Sequence, residues 1–193
     1  MDGFYDGDGT YYIRYSPDQQ GEWTYETRSN SPELTGKSGA FVCVSPGAGN
    51  HGFVTVRNTH HFAYADGAPY FPFGTTSYAW AHQAPELEEQ TLATLRTAPF
   101  NKIRMCVLPT QYDEGANPHR PFERTTDGKQ DFTRPRPAFF RHLETRLLDL
   151  QKLGIQADLI LFHPYGRGGY ANMGAEADVR YLRYVIARFG AFR

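Results

Sequence analysis

Three times along the chain, a short apolar run gives way to aromatic or polar residues and then to a stretch with helical periodicity. The apolar runs cover 70–77, 101–109 and 155–163, and the helical patterns cover 86–98, 137–153 and 175–192. Strands that alternate with helices of this length predict parallel βαβ units, because a parallel strand needs a crossover connection to return. A fourth strand is expected just beyond Arg193.

The third helical pattern has the clearest apolar stripe. Val179, Leu182, Ile186 and Phe189 recur at steps of three and four residues, which is the spacing of one helix face. In the second pattern the equivalent stripe consists of Phe139, Leu143, Leu147 and Leu150. We expect both stripes to face the core.

The first 60 residues have a different pattern, with short runs rich in aromatic and β-branched residues and separated by turn residues. These runs cover 10–15, 22–29, 39–45 and 52–57. They predict a partial N-terminal β-sandwich domain over 1–60, followed by an α/β region over 61–193. Between them, Asp66-Gly67 separates two strand patterns and predicts a tight hairpin.

Composition excludes several classes of partner. The net charge of -1 gives no electrostatic reason to expect a nucleic acid or an anionic membrane as partner. No apolar stretch approaches the ~18 residues of a membrane span, and residues 1–30 lack the pattern of a signal peptide. The two cysteines, Cys43 and Cys106, lie in strand-like runs and are expected to be small buried residues. Unpaired cysteines slightly favour a reducing cytoplasm, and the oligomeric state stays open.

The sequence predicts no metal and no cofactor. Its seven histidines show neither the His-x-His spacing nor the His-Glu-x-x-His helix typical of metal sites. A Gly-x-Ser-x-Gly elbow is also absent, so hydrolysis by a serine nucleophile is not expected.

Ligands of α/β folds bind beyond the carboxyl ends of the strands, and the first strand pattern is followed by Tyr78, Trp80 and His82. Under one interpretation, Tyr78 and Trp80 stack on a sugar ring while His82 binds its hydroxyl groups. Under the other, Trp80 packs beneath the next helix. The sequence pattern leaves both interpretations of Trp80 open.

The second strand pattern contains Arg104, and the third ends in His163 followed by Tyr165. A guanidinium inside an apolar strand requires a carboxylate partner, and we expect that partner to lie outside this chain. The alternative is that Arg104 extends to the rim of the sheet. His163 has two interpretations. In the functional one it orients a catalytic carboxylate or binds a sugar hydroxyl, and in the other it is a hydrogen-bonded structural residue.

Acidic residues are missing from the ends of all three strand patterns. Glycoside hydrolysis needs two carboxylates about 5–10 Å apart. Asp158 begins its strand pattern and is expected at the opposite edge of the sheet, while Asp113 and Glu114 are adjacent in the long connection 110–136. A connection of that length without secondary structure is typical of a functional or disordered loop.

Several segments resemble an apiosidase-like family of bacterial glycoside hydrolase barrels. The resemblance is carried by Phe62-Ala63-Tyr64-Ala65-Asp66-Gly67 and Tyr70-Phe71-Pro72-Phe73-Gly74-Thr75-Thr76, by Asn101-Lys102-Ile103-Arg104-Met105, and by Asp158-Leu159-Ile160-Leu161-Phe162-His163-Pro164-Tyr165. Upstream, Gly7-Asp8-Gly9-Thr10-Tyr11 and Gly21-Glu22-Trp23-Thr24-Tyr25 are similar to the β-sandwich that often precedes such a barrel.

The resemblance implies an α/β fold: the first three βα units of a (β/α)8 TIM barrel, preceded by a partial all-β sandwich segment. It implies a glycosidase that cleaves a polysaccharide or oligosaccharide by a two-carboxylate, retaining mechanism, with both acids beyond residue 193. Arg104 and His163 would support the catalytic site. Tyr78, Trp80, His82 and Tyr165 would bind the carbohydrate substrate, and a bacterial cytoplasm is slightly favoured over secretion.

Two alternatives belong to other functional classes. A non-catalytic carbohydrate-binding protein would use aromatic side chains to bind a glycan without cleaving it. The chain is rich in them, with 14 Phe, 13 Tyr and 2 Trp. A structural or interaction fragment would expose an uncovered strand edge and the inner faces of its helices, which favours self-association.

Overall fold

The computed structural model describes residues 1–110, 120–164 and 168–192. Tyr165, Asp113 and Glu114 lie outside these ranges. The described strands are β1 (Phe4–Gly7), β2 (Thr10–Tyr12), β3 (Gly21–Glu26), β4 (Ser38–Cys43), β5 (Val54–Arg57), β6 (His61–Tyr64), β7 (Pro69–Tyr70), β8 (Gly74–Thr76), β9 (Lys102–Cys106), β10 (Phe122–Arg124), β11 (Gln130–Pro135) and β12 (Gln156–Ile160).

Three α-helices follow the pattern read from the sequence: α1 (Pro85–Leu95), α2 (Pro137–Lys152) and α3 (Ala175–Phe189). Proline at the first turn suits α1 and α2, because the missing amide hydrogen has no partner in a first turn anyway. Two short 3-10 helices, Trp80–His82 and Tyr170–Asn172, precede α1 and α3. None of the described helices is long and apolar enough to cross a lipid bilayer.

The chain divides into two compact units. The α/β unit consists of residues 1–14 together with 71–193, and the β unit consists of residues 15–70. The sequence placed all of residues 1–60 in one sandwich segment, whereas the first 14 residues pack with the helices of the α/β unit. The reason is local: the β1–β2 hairpin carries Phe4, which is buried to 2% exposure, and Asp6, which pairs with α3.

The α/β unit is built on a parallel three-stranded sheet in the order β12-β9-β8. The register places Thr76, Arg104 and Asp158 side by side across the three strands. Each strand is followed along the chain by one of the three helices, so the prediction of parallel βαβ connections is confirmed.

One face of the sheet forms the core, since Ile103 and Met105 are completely buried beneath the helices. Alternation along β9 therefore places Lys102 and Arg104 on the opposite face. The predicted core stripe of α2 is confirmed, with all four of its residues buried: Phe139, Leu143, Leu147 and Leu150.

The predicted core stripe of α3 was wrong except for Phe189. Val179 and Ile186 are 54% and 56% exposed, whereas Tyr181 and Val185 are buried. The helix carries two apolar stripes at the same spacing, and packing selects the one whose Tyr181 hydroxyl can donate to the Leu161 carbonyl oxygen, at 2.9 Å. Buried tyrosine needs such an acceptor.

The connection between β9 and α2 is not an irregular loop in its described part. β10 and β11 form an antiparallel hairpin, and Phe122 at its base is 1% exposed. The Phe122 ring lies 5.3 Å from that of Phe132, 6.1 Å from Tyr170 and 6.0 Å from Tyr181. The hairpin is thus fixed to the connection that precedes α3, against the prediction of a segment without secondary structure.

The β unit contains the antiparallel pair β3–β4 and the antiparallel sheet β5-β6-β7. The hairpin predicted at Asp66-Gly67 is confirmed: Gly67 has φ 90°, its amide donates to Tyr64 O at 2.9 Å, and Asp66 Oδ1 accepts from the Ala68 amide. Cys43 is half-buried and not fully buried as expected, while Cys106 is buried. These small sheets lie within residues 15–70, and the predicted sandwich stays a prediction.

Candidate functional site at the carboxyl edge of the parallel sheet

Backbone hydrogen bonds continue past the ends of the three parallel strands. The Cys106 amide donates to Tyr78 O at 2.9 Å, and the Val107 amide donates to Ile160 O at 3.0 Å. The segments that follow β8, β9 and β12 therefore remain side by side. Of the ligand-binding candidates selected from the sequence, Tyr78, Trp80, His82 and His163 follow these strands within the described residues.

Arg104 has a carboxylate partner within the chain. Its Nε donates to Asp158 Oδ2 at 2.9 Å, and Lys102 Nζ donates to the same oxygen at 2.9 Å. From the sequence, no partner for Arg104 was expected within the chain, but Asp158 is one, because it lies opposite Arg104 in the parallel register and on the same sheet face. We call Lys102, Arg104 and Asp158 the sheet-face cluster.

The electrostatics of this cluster keep Asp158 ionised. Burial alone raises the pKa of the Asp158 carboxyl, but the hydrogen bonds and charges of Lys102 and Arg104 outweigh burial and hold the pKa below its ordinary value. Two cations and one carboxylate leave a net positive charge on this face. The Arg104 side chain is 49% exposed, and among residues 1–110, 120–164 and 168–192 only Asp158 binds its guanidinium.

Two histidines hold the carboxyl end of β9. His82 Nε2 lies 3.0 Å from Cys106 O, and His163 Nε2 lies 3.0 Å from Leu108 O. A carbonyl oxygen only accepts, so Nε2 carries the hydrogen in both rings. The two side chains, one from each neighbouring connection, therefore fix the backbone of the central strand where it leaves the sheet.

His82 is a core residue and does not reach a sugar. It is completely buried and its ring stacks on Phe139, with centroids 5.5 Å apart and planes at 11°. Burial, opposed by the hydrogen bond to Cys106, lowers the pKa of His82 to about 4. The ring is neutral at pH 7, and the prediction that it binds substrate hydroxyl groups is corrected by this burial.

Trp80 also belongs to the core. Its side chain is 2% exposed, and Nε1 donates to Glu88 O in α1 at 3.2 Å. The indole packs beneath the helix that follows it, which was the second interpretation of the sequence. Stacking of Trp80 on a sugar ring is excluded by this packing, because no face of the indole is open to a ligand.

Tyr78 keeps an open side chain at this edge, with 42% of its surface exposed. Phe162, which the sequence analysis did not select, is equally exposed at 42% directly before His163. His163 itself is 6% exposed. Tyr165, the remaining candidate, lies outside the described residues.

The arrangement offers an arginine, a lysine, an open tyrosine and an open phenylalanine, with no Asp or Glu directly after β8, β9 or β12. Within the described ranges, no group of three His, Cys, Asp or Glu residues is placed to hold a metal ion. Lys102 was missed, and Asp158 was expected at the opposite edge of the sheet but lies in the middle of β12, because both positions depend on strand register. Aligning 102–106 with 156–160 in parallel would have placed Asp158 beside Arg104.

Two family models match the chain. Residues 1–30 match a domain of unknown function, DUF5060. Residues 56–193 match a model described as an apiosidase-like catalytic domain. The second match covers well over half of the chain and includes the whole parallel sheet with its three helices.

Solved structures also match the chain. A candidate glycoside hydrolase from Bacteroides vulgatus is 46% identical, with a TM-score of 0.93 over 99% of this chain and 40% of that chain. A protein described as a glycoside hydrolase and a family 5 glycoside hydrolase from Bacteroides vulgatus are each 15% identical, with TM-scores of 0.43 over 57% of this chain and 25% and 24% of theirs. No curated protein matched the chain.

Proposed function

Because this chain belongs to the apiosidase-like family of catalytic domains, we propose that it forms part of the active site of a glycoside hydrolase. The chain spans 40% of the length of the Bacteroides vulgatus candidate hydrolase, so the activity is proposed for a longer protein. Its substrate would be a polysaccharide or oligosaccharide. Residues 61–193 would supply the first three βα units of a (β/α)8 barrel, after a partial β-sandwich.

One observation carries the proposal: Arg104 points from the open face of the parallel sheet with only its Nε bound by Asp158. A guanidinium has five donors in a planar fork, and its two Nη groups match the two oxygens of a carboxylate. Asp158 would hold the guanidinium in place, and the Nη groups would bind a catalytic carboxylate on a later strand. A nearby arginine keeps such a carboxylate ionised and ready to act as nucleophile.

His163 and Tyr78 would have separate roles at the same edge. His163 is bound to Leu108 O and is 6% exposed, so it would position the end of β9, and with it the space beside Arg104. The exposed rings of Tyr78 and Phe162 would pack against the apolar face of a sugar, as aromatic side chains do in carbohydrate clefts. Trp80 and His82 would contribute only as core residues beneath them.

The chemistry would be a two-carboxylate displacement with retention. One carboxylate attacks the anomeric carbon as the leaving oxygen takes a proton from the other, and water then releases the sugar. Neither acid lies at the ends of β8, β9 or β12. Both would come from beyond residue 193, and the present chain would supply Arg104 and part of the sugar-binding surface.

The test is hydrolysis by the full-length protein against plant and microbial oligosaccharides, measured as the release of reducing ends. NMR of the first product would give its anomeric configuration, and retention is expected. The 193-residue chain is the matched control and should release nothing. Binding of a sugar without turnover by the full-length protein would favour a carbohydrate-binding role. If the full-length protein showed no binding and no turnover, both roles would be excluded.

A further inference from the structure

Arg188 is the most deeply buried charge in the described part of the chain. It lies in the last turn of α3, and its side chain is 1% exposed. Nη1 lies 2.6 Å from Asp6 Oδ1 on β1 and 3.3 Å from the Tyr184 hydroxyl. Nη2 lies 2.8 Å from Glu144 Oε2 on α2. A buried guanidinium is tolerated only with such partners.

A second arginine completes the junction. Arg14, just after β2, places Nη2 2.5 Å from Glu144 Oε1 and donates from Nη1 to Arg188 O at 2.8 Å. The Phe4 ring contacts both guanidinium groups, and its centroid lies 5.0 Å from Cζ of Arg14 and 4.9 Å from Cζ of Arg188. Arg141 Nη1, on α2, also lies 3.8 Å from Asp6 Oδ2, so three arginines and two carboxylates meet at the junction.

Further contacts connect the same three elements. Arg141 on α2 donates to Asp6 O at 2.5 Å, and the Tyr184 hydroxyl on α3 donates to Tyr5 O at 3.2 Å. The β1–β2 hairpin therefore binds α2 and α3 simultaneously. Phe4, at 2% exposure, is buried in this contact although it lies only three residues after Met1.

We propose that residues 1–14 are an obligatory clamp that holds α3 against α2. The catalytic-domain model begins at residue 56 and the DUF5060 model ends at residue 30, so the two matches divide one folding unit. Without the clamp, Arg188 loses the hydrogen bond to Asp6 and the Phe4 ring, and keeps Glu144 as its one carboxylate partner among the described residues. Breaking a buried pair from one side is costly for this reason.

The electrostatics agree with this arrangement. Burial alone lowers the pKa of Arg188, but the hydrogen bond with Asp6 and the charge of Glu144 outweigh it and raise the pKa above its ordinary value. The folded state thus keeps the guanidinium charged, and the hairpin supplies part of the charge that makes this possible.

The test is hydrogen exchange of α3 amides in the full 193-residue chain. Asp6→Asn keeps the size of the side chain and removes its charge, and Arg188→Met removes the guanidinium. We expect each variant to lower the protection of α3 at least about a hundredfold. Breaking a buried ion pair changes the equilibrium constant for opening by at least about that factor. Adding Asp6→Asn to Arg188→Met should produce little further change, since the two residues act as a pair.

Arg180→Met is the matched control, because Arg180 lies on the same helix, is half-exposed and pairs with Glu176 four residues away. It should leave α3 protection unchanged. Tyr184→Phe is a milder variant for the case in which Arg188→Met does not fold; loss of its contact to Tyr5 O should raise exchange in α3 by a smaller factor. Unchanged protection in Asp6→Asn and Tyr184→Phe, or equal loss in Arg180→Met, would overturn the proposal.

Discussion

Arg104 on β9 and Asp158 on β12 lie opposite each other in the parallel register, and the Arg104 Nε donates to Asp158 Oδ2 at 2.9 Å. Lys102 donates to the same oxygen from two residue pairs away along the strands. The pair is partly exposed, so its contribution to stability is small. Its effect is geometric: it holds the Arg104 guanidinium through Nε, while neither Nη group is hydrogen-bonded by a residue in the described ranges.

The first prediction concerns the orientation of Arg104. Replacing Asp158 with Asn should change the free energy of unfolding by less than about 1 kcal/mol, because the pair is exposed. A pair worth up to about 1 kcal/mol corresponds to a factor of up to about five. The Arg104 Nε–Hε hydrogen should therefore exchange a few times faster. NMR of arginine side chains measures this rate.

Lys102→Met is the control for that experiment, because it removes the other cation and leaves the Arg104–Asp158 hydrogen bond in place. Slow Nε–Hε exchange in Asp158→Asn would mean that the sheet-face cluster does not orient Arg104.

The second prediction separates Tyr78 from Trp80. Trp80→Ala should cost about 3–5 kcal/mol of folding free energy, because it empties a buried site. Tyr78→Ala should cost less than about 1 kcal/mol, because its ring is open. Urea unfolding of the two variants measures the difference.

The same pair of variants is informative for sugar binding by the full-length protein. Tyr78→Ala should weaken the affinity for an oligosaccharide substrate by about 1 kcal/mol, or roughly fivefold. The more conservative Trp80→Phe should leave this affinity unchanged. A loss of affinity in Trp80→Phe with none in Tyr78→Ala would show that Trp80, and not Tyr78, contributes to sugar binding.

The third prediction is a pH dependence. The pKa of His82 is about 4 in the folded protein and about 6.5 in an unfolded chain. The unfolded state therefore binds the proton at higher pH, and the folded state loses stability as the pH falls from about 6.5 to 4. A shift of this size corresponds to about 3 kcal/mol.

Unfolding in urea at pH 7 and pH 4.5, followed by Trp80 fluorescence in a Trp23→Phe background, measures this loss. His82→Gln should show a smaller loss on acidification, since no buried imidazole is left to protonate. His60→Gln, which removes an exposed histidine of the β unit, should behave like the parent chain. An equal acid sensitivity in His82→Gln would show that other groups cause it.

The fourth prediction concerns the β10–β11 hairpin. Phe122→Ala should destabilise the hairpin by about 3–5 kcal/mol, because the ring packs against Phe132, Tyr170 and Tyr181 at 1% exposure. Hydrogen exchange should then rise in the hairpin and in the segment around Tyr170 together. Lys129→Ala at the exposed tip should have an effect within about 0.5 kcal/mol. Exchange that rises in the hairpin alone would show that the two connections are independent.

Much of the secondary structure was predictable from periodicity. The three helices, the parallel strands and the Asp66-Gly67 hairpin follow from local residue chemistry, because caps, turns and apolar spacing act within a few residues. The buried face of α3 was not predictable in the same way. Two stripes fit the helical period, and only the position of the Leu161 carbonyl decides between them.

The candidate site was predictable in its location and less so in its contents. The carboxyl edge of the sheet follows from the order of strands and helices, and Tyr78 and His163 do lie there, whereas Arg104 lies in the middle of β9. The Asp158 partner depends on register, which no local pattern specifies. Trp80 and His82 turned inward because a 3-10 helix, invisible to the periodicity, places them under α1 and against Phe139.

The most direct test of the central claim is hydrolysis by the full-length protein with Arg104→Met, compared with Arg96→Met at the exposed end of α1. The account predicts that Arg104→Met lowers kcat/KM at least about a hundredfold, as loss of one preorganised charge partner does in other active sites. Arg96→Met should retain the activity of the parent protein. Equal activity in the two variants, with both folded, would contradict the claim that Arg104 serves a sugar-cleaving site.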